Sequence, residues 1–128
     1  MANNAVRRTD LLSTGDMARF VARGFLRFDG LIPDEINRDF LERVMQDDVR
    51  SHPPGTPLAD CYATCPPISA LLQLPKVAGM IQSLVGLNPL FDHHAVHHCP
   101  PHQARAQDTH ADSIVDVRST AFDIQLMY

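Results

Sequence analysis

The sequence predicts an α+β domain, helical over about residues 10–87 and strand-forming over about 88–128. Three observations carry that expectation. Apolar residues recur at helical spacing between Ser13 and Gly86, and from Pro89 onward they alternate in short β-branched or aromatic runs. Prolines crowd into two stretches, "SHPPGTPLADCYATCPP" (51–67) and "HHCPPH" (97–102). Both stretches read as loops, because Pro fits neither a helix interior nor a central strand.

The first helix is expected in "STGDMARFVARG". Ser13 suits the N-cap with Asp16 three residues on, Met17, Phe20 and Val21 share one face, and Gly24 suits the position after the last turn. "FLRFDG" (25–30) then reads as a strand closed by a turn. "PDEINRDFLERVMQ" carries the clearest helical stripe: Ile36, Phe40, Leu41, Val44 and Met45. Pro33 is placed for its first turn, and Asp34 and Glu35 suit the positive end of the helix dipole. "ISALLQL" and "KVAGMIQSLVG" follow as two short helices separated at Pro75, with Gly86 as a stop. The strands are expected in "LFDHHAVHH", "SIVDVR" and "AFDIQLMY". The run ends at Tyr128 without a turn, a cap or a polar tail, so the reading expects an incomplete domain.

At 128 residues the chain has room for one domain with a real core. A net charge of −4 gives no basic footprint for nucleic acid or an anionic membrane, so neither is expected as a partner. No apolar run approaches the ~20 residues of a membrane span. The N-terminus lacks the apolar core of a secretory signal. Cys61, Cys65 and Cys99 make an odd set, which reads as reduced thiols in a cytoplasmic protein.

The chemistry concentrates in "QDTHADS" (107–113). On a strand, residues two apart point to the same face about 6–7 Å apart, so His110 and Asp112 would project side by side, with Ala111 turned away. An imidazole nitrogen and a carboxylate oxygen are two of the three ligands in the 2-His-1-carboxylate arrangement. That arrangement holds iron(II) by one face and leaves the other open. The plain alternative is a surface His–Asp pair near a turn.

The order of these segments resembles the phytanoyl-CoA dioxygenase family of iron(II)- and 2-oxoglutarate-dependent oxygenases. The likeness runs through "RFVARGFLRFDGLIPDEINRDFLERV" and "LLQLPKVAGMIQSLVG" to "QDTHADS" and "AFDIQLMY". It implies N-terminal helices packed on the first strands of a double-stranded β-helix, a jelly roll. It also implies hydroxylation of a small organic substrate, with His110 and Asp112 as metal ligands and 2-oxoglutarate as co-substrate. Arg105 and Gln125 are nominated for contacts to that co-substrate. The sequence departs from the family pattern downstream. Between Ser113 and Tyr128 there is no His for the distal ligand, and Arg118 stands too close to the motif to grip 2-oxoglutarate. The likeness therefore covers the N-terminal half of such a domain, and the reading expects a fragment inactive by itself.

"HHAVHH" is the densest set of imidazoles. On a strand, His93 and His97 share one face and His94 and His98 the other. His93 and His97 are nominated for the substrate pocket, against the reading of a polar edge strand. Two further alternatives stand beside the oxygenase. Cys61 and Cys65 with a His-x3-His pair match the ligand types of a structural zinc site, though their separation exceeds compact finger spacing. A non-catalytic interaction module, self-associating through an unpaired sheet edge, is the other. The Pro-rich stretch 51–67 is expected to act as a lid.

Overall fold

A computed structural model describes residues 6–46, 49, 52–94 and 124–128. The chain divides into two units, Met1–His94 and Ala95–Tyr128. The first unit contains every regular element among the described residues, and all of them are helical: α1 (Thr14–Arg23), α2 (Asp34–Met45), α3 (Pro66–Gln73) and α4 (Pro75–Val85), with a short 3-10 turn at Leu58–Asp60.

The α1 start follows the residues. Ser13 Oγ accepts from the Asp16 amide at 3.1 Å, and the Asp16 carboxylate accepts from the Ser13 amide at 3.1 Å, closing a capping box. Gly24 ends the helix at φ 78°, a left-handed conformation that costs glycine little, and its N–H donates to the Phe20 carbonyl. In α2, Ile36 and Phe40 turn toward the interior. Leu41 and Met45, expected within the same stripe, lie on the solvent side. Two residues four apart are thus the part of this helix's stripe that joins the core clusters.

The α3–α4 break falls where the sequence places it. Leu74 precedes Pro75, whose ring drives the residue before it out of the helical region, and Leu74 sits at φ −57°, ψ 126°. The two helix axes bend by 71° there. No single helix among the described residues is long and apolar enough to cross a membrane.

Two clusters pack on α3. Leu71 joins Leu12, Val77 and Met80, with Met17, Leu26, Phe28 and Ile36 against them. Ile68 joins Cys61, Tyr62, Cys65 and Phe91, with Phe40 and Leu58 against them. Leu72 touches both clusters. The segment before α1 is stitched to α4: the Leu12 amide donates to Ser83 Oγ at 3.0 Å, and Lys76 Nζ donates to the Leu11 carbonyl at 3.2 Å. Gly79 lets it come close, since a Cβ there would overlap the Asp10 carbonyl.

The α+β expectation is overturned for the described residues, which contain four helices and no sheet. Residues 25–30 are not a strand. The alternation of Leu26 and Phe28 is met by packing onto the helical cluster, with Lys76 Nζ 5.9 Å above the Phe28 ring, and not by pairing with another strand. Near Pro89 the pairing stops at one antiparallel bridge, Pro57 to Leu90, flanked by Gly55 N–H to Phe91 O and Phe91 N–H to Thr56 O, each at 2.8 Å. Pro57 and Pro89 have no N–H to extend that ladder. Residues 124–128 of the second unit form no strand, and Leu126, Met127 and Tyr128 are exposed. The jelly-roll strands expected at 88–128 are thus absent wherever those residues are described, and "SIVDVR" lies outside the described residues.

Candidate functional site

His97, Arg105, His110 and Asp112 lie outside the described residues, as do His98 and Cys99. Gln125 stands in the short exposed run 124–128. His93 is exposed, and its Nδ1 meets the Asp92 carboxylate at 2.6 Å. The residue that turns inward is its neighbour, His94. Strict alternation from buried Phe91 would turn position 93 inward; instead Asp92 and His93 are both exposed and His94 is the half-buried one.

His94 belongs to a constellation that the sequence did not single out. Its Nδ1 lies 2.8 Å from the Tyr62 hydroxyl, and the Tyr62 amide donates to His52 Nε2 at 3.0 Å. An acceptor at Nε2 places the proton of neutral His52 on Nδ1. The His52 ring stands edge-on to Tyr62, with centroids 4.8 Å apart, and edge-on to Phe91 at 5.6 Å. Phe40 from α2 reaches His94 at 6.4 Å. Edge-to-face contacts of this kind set the positive rim of one ring against the negative face of another.

Tyr62 sits at φ 61°, the one non-glycine in the left-handed region among the described residues. For a bulky side chain that conformation costs about 1–3 kcal/mol. The surroundings hold it there: Tyr62, Cys61 and Cys65 are buried, and the Cys65 amide donates to the Tyr62 carbonyl at 2.9 Å. The Pro-rich stretch is therefore part of a core in this unit. Cys61, Tyr62 and Cys65 fasten it there, packed on Ile68 and Phe91.

Burial also sets the protonation states. The Tyr62 phenol is pushed up to about 12, first by burial and then by the neighbouring Cys61 and Cys65 sulfurs. The Cys61 thiol is raised by burial and by Asp60. Imidazole 94 is held below the ordinary histidine value, first by burial and then by the charges of His52 and His93. Both shifts favour the uncharged forms of the Tyr62 phenol and the His94 imidazole.

Cys61 and Cys65 are free buried thiols, and Cys61 Sγ lies 3.5 Å from the Pro57 carbonyl. No three His, Cys, Asp or Glu side chains converge on a metal-sized site among the described residues. Of the zinc set considered from sequence, the structure therefore brings together the two cysteines in an apolar cluster and leaves His93 on the outside. Comparison with known proteins adds no assignment: no family model, no curated protein and no solved structure matches the chain.

The sequence holds little to mark Tyr62. Left-handed backbone is signalled by Gly or Asn, and tyrosine gives no such sign. The spacing of His52, Tyr62 and His94 follows no local period, so only the fold joins them.

Proposed function

We propose that the chain contributes two ligands, His110 and Asp112, to an iron(II)- and 2-oxoglutarate-dependent oxygenase that hydroxylates a small organic substrate. The observation that carries this reading is the two-residue spacing in "THAD", with a small residue between an imidazole and a carboxylate. The likeness of the flanking segments to the phytanoyl-CoA dioxygenase family supports it from the same sequence.

The donor set fits iron(II) in kind. Imidazole nitrogen and carboxylate oxygen suit that ion, while a thiolate set would favour zinc or an iron–sulfur cluster. The motif itself supplies two of the three ligands. The described histidines of the first unit are otherwise engaged: His52 accepts from the Tyr62 amide, His94 bonds the Tyr62 hydroxyl, and His93 pairs with Asp92. Nor does the run from Ser113 to Tyr128 contain a His. When bound with 2-oxoglutarate and O2, iron supplies an oxidative decarboxylation that ends in hydroxylation of a substrate C–H bond. The chain's share is to present the ring nitrogen of His110 unprotonated and the Asp112 carboxylate ionised, and to keep the opposite face of the metal open.

Anaerobic iron(II) titration tests the reading directly. The chain is expected to bind iron(II), and His110→Ala and Asp112→Ala are each expected to weaken that binding. Equal affinity in the chain and in both variants would remove the metal role of this motif. Zinc retained through purification and released on blocking Cys61 and Cys65 would favour the structural-zinc alternative.

A further inference from the structure

Two imidazoles grip Tyr62 at its two polar ends. His52 takes the backbone amide at 3.0 Å, and His94 meets the hydroxyl at 2.8 Å. The residue they hold is in a left-handed conformation, φ 61°, that a tyrosine does not favour by itself. We propose that His52 and His94 form an acid-released latch, which holds segment 52–62 on the core while both rings are neutral and lets it go on protonation.

The two contacts respond differently to a proton. A doubly protonated His52 ring offers no lone pair, and a backbone N–H cannot turn into an acceptor. That contact is lost outright. The His94 contact can reverse, with a protonated Nδ1–H donating to the Tyr62 oxygen. Reversal leaves a cation in a half-buried aromatic setting beside His52, which burial and the neighbouring charges oppose. Losing the amide acceptor also removes one restraint on a strained backbone, so opening relieves strain as it breaks the bond.

Among the described residues, the charged groups around the latch are already engaged or add to the new charge. His94 feels His52 and His93, both of which add positive charge on acidification. Asp92 is engaged with His93, and Asp60 acts on Cys61. From α2 the neighbour is the Phe40 ring, from the bridge segment Phe91, and from the α3 side the Cys65 thiol. Because folding lowers the His94 pKa, its contribution to stability is fully present above about pH 6.5. It is lost as pH falls below that value through the lowered folded one.

The chain has two tyrosines and no tryptophan, so Tyr128→Phe leaves Tyr62 as the sole emitter. Emission of that full-length variant would be followed from about pH 7.5 to about pH 4.5, the window histidines cross. The expected result is an acid transition within that window, with the far-UV helical signal retained. His52→Gln supplies a carbonyl oxygen where Nε2 stood and does not titrate, so the transition should shrink to the part carried by His94. Asp92→Asn should leave it in place. An unchanged transition in His52→Gln would overturn the latch. Should that variant fail to fold, NMR titration of the unsubstituted chain decides: the Tyr62 amide resonance must move together with the His52 and His94 ring signals, and independence of the three would overturn it.

Discussion

Gly79 of α4 lies directly against the backbone of Asp10, so that any side-chain carbon at position 79 would overlap the Asp10 carbonyl. A glycine in the middle of a helix normally costs about 1 kcal/mol relative to alanine. Here that cost permits an approach no other residue allows. Gly79→Ala is therefore expected to destabilise the chain by about 1–3 kcal/mol, despite the better helix former. A urea midpoint that rises in the variant would show that the segment yields freely.

Ser83 completes the same contact. It accepts from the Leu12 amide at 3.0 Å and donates to the Gly79 carbonyl at 2.7 Å. Ser83→Ala leaves the Leu12 N–H without that acceptor in a partly buried site, an expected loss of about 1–3 kcal/mol. Hydrogen exchange at the Leu12 amide should accelerate in step. Unchanged exchange there would assign the stitch to Lys76 alone.

Asp10 ties this segment to acid stability. The Arg7 side-chain hydrogen bonds, at 3.1 and 3.2 Å, hold its carboxyl below the usual 3.8, while burial pulls the other way. A depressed folded pKa contributes stability above about pH 3.8 that is lost as pH falls through the lower folded value. Arg7→Met should flatten the stability profile below pH 4 relative to the parent chain. The check is a set of thermal melts across that range, in which parallel profiles would refute the role of Arg7.

Leu71 and Leu41 make a matched pair on neighbouring helices. Leu71 is 1% exposed and Leu41 is 59% exposed. Leu71→Ala is expected to cost about 2–5 kcal/mol. Leu41→Ala should stay within about 0.5 kcal/mol of the parent. Comparable losses at the two sites, measured by chemical denaturation, would mean that position 41 is covered in solution.

Tyr62 should titrate late. With Tyr128→Phe in place, phenolate absorbance is expected to rise with a midpoint of about 12. Raised above the ordinary 10.0, the phenol lends stability below pH 10 that disappears as pH climbs through the folded value. A midpoint near 10 would place the ring in water.

The helices were legible because their signals are local. The Ser13–Asp16 box, the Ile36–Phe40 stripe and Pro75 each act within one or two turns, and the chain obeys them. What sequence reasoning mistook was alternation without a partner. "FLRFDG" alternates as a strand does, yet Leu26 and Phe28 find helices to pack on, and period two alone does not say what lies opposite. The half-buried histidine escapes alternation for a related reason: period two from buried Phe91 points to position 93, and the packing around Tyr62 takes His94 instead. Tyr62 left no trace, since its partners lie 10 and 32 positions away. The motif residues His110 and Asp112 lie outside the described structure, so their reading remains one of spacing and ligand chemistry.

Helix α3 has Ile68 committed to one cluster and Leu71 to the other. A cylinder wedged from both flanks cannot roll to ease one without prising the other apart. Damage on the tyrosine side should thus be felt at Val77 and Met80, and melting of the first unit should register as one event whichever flank carries the probe.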